Sequence, residues 1–447
     1  MMTQDPNVNF RDLAWSRPGM CELLNDHVLP RLYPGKHVTD VKRTWTAYKP
    51  GKDCLVLYKL SFDENGSNGH ALAAATFGRP ARLEQLYERH YKDGNGGNAV
   101  FLPDYPCLVE FFPTDWKLPV LAAATDADQA ARLLAAALGE RDIPRVVSVE
   151  SLRYRPHRRC VLRYQLEWPG GKGPEQLIAK AYPAGAKAGH VRDKLAILGG
   201  QCSSSDLRFP RGYAAPDAPN LLIMECVPGT CMGELLEATT TESEARDVIE
   251  MALSALVAFH DLELTSDDRR TLPTEFDQLV ARTARLHNAA PDLAAEVEKM
   301  LARFEPLIER HGDAEQCLIH GDFKPTQLMV DGRQAALVDL DRACPGDPAI
   351  DVGNFMAVMQ KAAHIQNLGH AEPLSKWFLG EYEKRTGRGE VGERARVFEA
   401  LALVRMIVRK FERAPHKYTK YGRDWPALSL LGHAAERLRT LAGGETT

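Results

Sequence analysis

Three blocks of sequence occur twice in this chain, in the same order, and that repetition limits the fold to something built from two like units. Tyr48-Lys49-Pro50-Gly51-Lys52-Asp53-Cys54-Leu55-Val56-Leu57-Tyr58 aligns without gaps on Tyr154-Arg155-Pro156-His157-Arg158-Arg159-Cys160-Val161-Leu162-Arg163-Tyr164. Leu72–Phe77 falls opposite Leu177–Tyr182, and Leu108–Pro113 opposite Ile223–Pro228, each of the last pair followed by an alanine- and leucine-rich, helix-like run. Each copy opens as a hairpin, with an aromatic-bearing strand, a basic turn containing proline, and a second β-rich strand. Proline-turn hairpins resemble one another by chance, but three matching blocks in one order favour a duplicated α+β module of roughly 100 residues.

At 447 residues the chain is too long for one compact core. Its organisation reads as a lead segment 1–34, a first module 35–142, a second module 143–232 and a helical domain 233–447. Helices are expected over Ala245–His260, Phe276–Leu286, Leu293–His311 and Arg394–Arg413. Asp63–Gly69 and Asp93–Asn98, rich in glycine and asparagine, read as surface loops. A net charge of −4 and a pI near 6.4 give no electrostatic reason to expect nucleic acid or an anionic membrane as partner. Nine cysteines without a C-x-x-C pair argue against structural zinc and a disulfide framework, and fit a reducing cytoplasm. Met1–Asn9 is polar, with no apolar h-region, and no apolar run reaches the ~20 residues of a membrane helix.

Chemistry concentrates between Cys317 and Asn354. His320-Gly321-Asp322 follows a short apolar approach, Gln327 comes five residues after Asp322, and an apolar strand runs from Ala335 through Asp339 to Asp341. Gly346-Asp347-Pro348 and Asp351 close the segment. Phosphoryl transfer requires a carboxylate to orient the attacking hydroxyl, and oxygen ligands to hold metal against nucleotide phosphates. Magnesium prefers carboxylate, amide and phosphate oxygens, and Asp322, Gln327 and Asp339 supply that set. On a strand, Asp341 would face the same side as Asp339 and support the metal.

The segment resembles the catalytic core of the aminoglycoside phosphotransferase and choline kinase-like families, relatives of the protein kinases. The resemblance is dense over Cys317–Asn354 and looser from about Val147 onward. It implies an α+β, protein kinase-like bilobal fold: a mixed N-lobe with an antiparallel sheet, and a helical C-lobe, here preceded by a degenerate N-lobe-like module. It implies Asp322 as catalytic base, Asp339 as metal ligand, Asp351 as the acid bracing the catalytic loop, and ATP (or GTP) with Mg2+ as cofactors. Gln327 stands where these families carry asparagine; a glutamine there is similar to maltokinase-like sugar kinases. A protein kinase is disfavoured, because Gly321 replaces the arginine of His-Arg-Asp and no Ala-Pro-Glu follows.

On the nucleotide side the resemblance places Lys180 against phosphate; a lysine mid-strand among apolar neighbours is costly unless paired or facing such a charge. Arg158 and Arg159 occupy the place of a phosphate loop without its glycines, and read equally as phosphate ligands or as a solvated turn. Glu225 and Cys226 fall where a hinge holds adenine through backbone groups. The helix glutamate that pairs with the lysine is missing from Pro183–Gly200, leaving Asp193 as a weak substitute. Ala75 stands opposite Lys180 in the alignment, so the first module reads as a cap or docking surface without a site of its own. His311-Gly312-Asp313 repeats His-Gly-Asp but lacks the downstream amide and the strand, and reads as a helix end. The acids from Glu234 to Glu263 suit a cationic acceptor such as an amino sugar, though exposed helices carry such acids routinely. The basic tail Arg409–Arg423 reads as a solvated helix end, with contact to an anionic substrate as the lesser alternative. The expected activity is ATP-dependent transfer of the γ-phosphoryl group to a hydroxyl of a small molecule (sugar, amino sugar, aminoglycoside or amino alcohol). The rival is a nucleotide-binding pseudokinase acting as a scaffold.

Overall fold

The computed structural model describes residues 11–64, 67–92, 97–171, 173–185, 188–311, 314–365 and 371–442. Strands β1 (Val38–Lys49), β2 (Asp53–Glu64) and β3 (Ser67–Gly78) form a meander, and after the helix Pro80–His90 come β4 (Ala99–Leu102) and β5 (Cys107–Phe111). The sheet order is β1-β2-β3-β5-β4, antiparallel throughout. The second sheet starts with β6 (Arg145–Arg155), β7 (Arg159–Glu167) and β8 (Gln176–Ala181), followed by the helix Ala188–Gln201. After β9 (Leu207–Arg208), which pairs elsewhere, β10 (Gly212–Tyr213) and β11 (Leu221–Glu225) complete it in the order β6-β7-β8-β11-β10. The two sheets therefore share one topology, with a helix inserted between their third and fourth strands.

The pairing register refines the alignment of the copies. Cys160 faces Ala181 and Val161 faces Lys180, whereas Cys54 faces Phe77 and Leu55 faces Thr76. Counted along these ladders the counterpart of Lys180 is Thr76, one residue from Ala75. Either residue leaves the first sheet without a phosphate lysine. The expected loop at Asp63–Gly69 is largely strand, because β2 runs to Glu64 and β3 begins at Ser67. Asn65, Gly66 and residues 93–96 lie outside the described residues.

The C-terminal half is helical. Glu242–His260 begins with a capping box, Thr241 with Glu244, and Leu272–Thr283 with another, Thr271 with Thr274, so local chemistry satisfies the free N–H groups at both starts. The helix expected over Leu293–His311 is two, Pro291–Leu301 and Glu305–Arg310, the second opening with Pro306 in its first turn. Gly312 and Asp313 of the duplicate His-Gly-Asp lie outside the described residues. Ala349–Ile365, Ala371–Thr386, the long Val391–Arg413 and Ser429–Ala442 complete the lobe. Two small sheets carry the motif segment: β13 (Cys317–Ile319) with β16 (Cys344–Gly346), and β14 (Leu328–Asp331) with β15 (Gln334–Leu337), flanked by β12 (Thr230–Cys231) and β9 in the order β12-β14-β15-β9. The chain is α+β, with two five-stranded antiparallel sheets followed by a largely helical C-terminal part, and among the described residues no helix is long and apolar enough to cross a membrane.

The first module touches both lobes. Leu55 and Leu57 of β2 share a buried cluster with Leu162 and Tyr164 of β7, and the helices Leu121–Thr125 and Ala127–Leu138 supply Leu121 and Leu134 to it. On the other side Tyr48 of β1 packs against Phe411 of the helix Val391–Arg413, ring centroids 6.1 Å apart, and Arg43 meets His416 at 3.0 Å.

Candidate active site

The backbone of the motif segment explains its residue types. Gly321 has φ 73°, and a Cβ there would lie 2.3 Å from Arg270 Nη1, so glycine is required both for conformation and for space. Arg270 Nη1 donates to the Gly321 carbonyl at 2.8 Å. Asp351, fully buried, accepts the His320 N–H at 2.6 Å and the Gly321 N–H at 2.8 Å, which fixes the loop that carries Asp322. Burial alone would raise the Asp351 carboxyl, but the hydrogen bond and charge of His260 and the backbone N–H of His320 hold it below the usual range. His320 Nε2 lies 2.9 Å from the Val338 carbonyl, which requires that nitrogen to be the donor, while Nδ1 accepts from Asp322 N–H at 3.3 Å.

The strand expected to run through Asp341 stops at Leu337. Asp339 adopts φ 66° and ψ 46°, and Leu340–Arg342 is a 3-10 turn. Asp339 and Asp341 thus reach the same space through a left-handed kink and a tight turn, and not by alternation along a strand. A non-glycine residue in this region is strained and persists where its surroundings fix it. Here the fixing partners are cationic. Lys180 Nζ lies 2.5 Å from Asp339 Oδ1 and also contacts Asp341 Oδ2, and Arg159 Nη1 lies 3.1 Å from Asp339 Oδ1. Burial pushes the Asp339 carboxyl up, but Lys180, Asp341 and Arg159 together drive it far below the usual range; burial and Asp339 raise Asp341. Lys180 is buried, with its ammonium matched by both carboxylates. Asp341 thereby supplies the counter-charge absent from the helix Ala188–Gln201, whose Asp193 is exposed and paired with Arg192.

Asp322 meets the ammonium of Lys324, and Gln327 Nε2 donates to Asp322 Oδ2 and Asp339 Oδ2, both at 3.3 Å. Burial raises the Asp322 carboxyl, but Lys324, His320 and Arg409 hold it below the ordinary value, so it is ionised at neutral pH. Asp322, Gln327, Asp339 and Asp341 face a cavity of about 640 Å³. The carboxylate and amide oxygens of Gln327, Asp339 and Asp341 have the hard-donor chemistry of a magnesium site once the Gln327 amide is turned to present its oxygen.

The rest of the cavity lining was less visible in the sequence. Arg153, Arg155, Arg158 and Arg159 enter it from the β6–β7 hairpin. Arg282 and Arg285 enter from the Leu272–Asn288 region, Arg342 from the motif segment, and Arg409, Glu412 and Arg413 from one helix; Trp45–Lys49 of β1 form a wall. The basic tail was legible as charge, but its approach to Asp322 depends on tertiary packing. None of the acids from Glu234 to Glu263 lines this cavity. Glu225 and Cys226 do not line it either. Glu225 pairs with Arg208 and accepts Arg211 N–H at 3.1 Å, and Cys226 Sγ lies 3.4 Å from Gln176 Oε1.

The turn between β6 and β7 is held from outside its own sheet. His157 has φ 60°, matching Gly51 (φ 74°) at the aligned position of the first copy. Its N–H donates to Asp115 Oδ2 at 2.8 Å and its Nε2 lies 2.6 Å from Glu110 Oε2. Tyr154 donates to Asp115 at 2.9 Å, and Tyr91 donates to Glu110. Glu110 of β5 is the counterpart of Glu225 in the sequence alignment. A residue at the hinge position of the first module therefore anchors the turn that carries Arg158 and Arg159 in the second.

Residues 161–374 match a family model described as the phosphotransferase enzyme family. No curated protein matches the chain by sequence. Among solved structures, the apo form of a thermostable mutant of aminoglycoside phosphotransferase APH(4)-Ia is 15% identical, over 70% of this chain and 99% of that one, with a TM-score of 0.48. ADP-bound aminoglycoside phosphotransferase APH(2'')-Ib is 14% identical, over 66% of this chain and 95% of that one, TM-score 0.45. The streptomycin–ATP ternary complex of APH(2'')-IIa is 13% identical, over 70% and 96% respectively, TM-score 0.44.

Proposed function

We propose that the chain, whose residues 161–374 match the model of the phosphotransferase enzyme family, moves the γ-phosphoryl group of ATP onto a hydroxyl of a small molecule. The observation that carries this reading is the convergence of Asp322, Gln327 and Asp339 on one cavity edge, with Lys180 of β8 paired to Asp339. Asp322, ionised and held by Lys324, orients the acceptor hydroxyl and takes its proton as the bond to phosphorus forms. Lys180, Arg158 and Arg159 hold phosphate oxygens, and backbone groups at Glu225 and Cys226 take the adenine. Gln327 and Asp339, supported by Asp341, would hold Mg2+, which when bound would supply positive charge against the nucleotide phosphates. Lys180 exchanges its two carboxylate partners for phosphate as the nucleotide arrives, which keeps its charge matched in both states.

ADP release across a panel of hydroxyl compounds, with Asp322→Asn as control, tests this. Loss of a positioned base lowers kcat by ~10²–10⁴-fold with ATP affinity retained. Turnover that survives Asp322→Asn undiminished removes Asp322 from the mechanism.

A further inference from the structure

We propose that the acceptor of this phosphotransferase carries negative charge of its own, a phosphate or carboxylate group bound by arginines beside Asp322. The inference rests on the phosphotransfer reading above and assigns the substrate class of that same cavity. Eleven basic and only four acidic side chains line it. The four acids are already matched: Asp322 by Lys324, Asp339 and Asp341 by Lys180 with Arg159, and Glu412 by Arg282. Arg153, Arg155, Arg158, Arg285, Arg409 and Arg413 are left with no carboxylate partner among the described residues.

Arg153 has Asp339 and Asp322 among its charged neighbours and Arg155 has Asp339, so both stand by the carboxylates that face the nucleotide phosphates. Arg409 is surrounded by Arg405, Arg282, Asp322 and Arg342, and so sits at the end where the acceptor hydroxyl must lie. Burial first, then Arg405 and Arg282, push the Arg409 guanidinium down to about 9, with Asp322 offsetting only part of this. Arg405 and Arg282 spend their own charge on Glu275 and Glu412. Arg409 does not. A bound phosphate or carboxylate relieves this repulsion through charge-assisted bonds, and the planar guanidinium suits either anion. A cationic amino sugar meets the same cluster with repulsion. The ring of Trp45, over which Arg158 lies at 5.8 Å, and Tyr48 supply the neighbouring wall.

Two measurements on the full chain test the assignment. Inorganic phosphate is titrated calorimetrically into protein saturated with Mg·ADP. Binding is expected there, and Arg409→Gln weakens it by about tenfold or more while leaving ADP affinity within about twofold; Arg409→Lys restores part of it. Phosphate that binds only in the absence of nucleotide, or equally well to Arg409→Gln, assigns the arginines to the nucleotide and overturns the proposal while phosphotransfer stands. In the second measurement, one hexose is offered in neutral, amino, uronic acid and phosphate-ester forms. The two acidic forms are expected to exceed the others in kcat/KM by about 100-fold. Faster Asp322-dependent turnover of the neutral or amino form refutes the acceptor assignment alone. Mg·ATP that fails to bind at all removes the phosphotransfer reading and the acceptor assignment with it. Phosphate binding to the ADP complex that is lost in Arg409→Gln supports the site even where no hexose is turned over.

Discussion

Gln327 spans the two carboxylates of the site, its amide 3.3 Å from each, so its length is matched to their separation. Gln327→Asn withdraws the amide by about 1.5 Å. The expected outcome is a fall in kcat of about tenfold and a higher magnesium requirement, read from rate against Mg2+ concentration at saturating ATP. An unchanged magnesium profile would show that the amide does not serve the ion. That Asp322, Gln327 and Asp339 come together was legible in the sequence because they lie within eighteen positions of one another, on a loop and just past a short strand. Arg282 and Arg409 were not, since they come from different helices and no one-dimensional pattern states that they meet. The partner of Lys180 was sought on the wrong element. The helix lacks a glutamate because Asp341 already balances the ammonium, a fact that requires the kink at Asp339 to be known.

At the scale of elements, the β6–β7 turn is held by side chains from the first sheet and the segment that follows it. A glycine-free turn needs support for its left-handed residue, and His157 obtains it from Glu110 and Asp115 of the first module. Burial lowers the His157 imidazole, but Glu110 and then Asp115 outweigh it and raise the group above its ordinary value. A raised imidazole stabilises the fold fully below the unfolded value of about 6.5, and that stabilisation is lost as pH rises through the folded value. Thermal unfolding of the native chain is therefore expected to lose more Tm between mildly acidic and alkaline pH than His157→Gln does. Parallel curves for the two would remove His157 from the pH dependence. Glu110→Gln should also raise KM for ATP by a few-fold, through slackening of the turn that carries Arg158 and Arg159, with kcat at saturating ATP little changed. The hairpins themselves were legible from their aromatic and proline pattern. The end of β15 at Leu337 was not, because Val338 and Leu340 on either side of Asp339 prolong the strand-like alternation past the point where Asp339 turns left-handed.

At the scale of the molecule, the first sheet packs against both the second sheet and the helix Val391–Arg413. Its β2 contributes Leu55 and Leu57 to a cluster with β7, while its β1 presses Tyr48 against the helix that carries Arg409. A copy that had kept only a structural role in its own sheet would require neither contact. Shared burial on this scale couples the modules in unfolding, since apolar surface exposed by one is exposed by the other. Leu57→Ala, at a position 4% exposed, removes packing from the shared cluster and should cost ~2–5 kcal/mol. The loss is expected to lower the whole transition in denaturant, with fluorescence and circular dichroism still coincident. If the first module were an independent appendage, Leu57→Ala would instead split the curve, with an early step for the module and an unmoved step for the catalytic half. ADP release measured through the early step would then persist, although the wall formed by Trp45–Lys49 had been withdrawn from the cavity. A coupled cap predicts the reverse, with activity and fold lost at the same denaturant concentration, because the arginines beside Asp322 are held in place by a helix that the cap itself helps to seat.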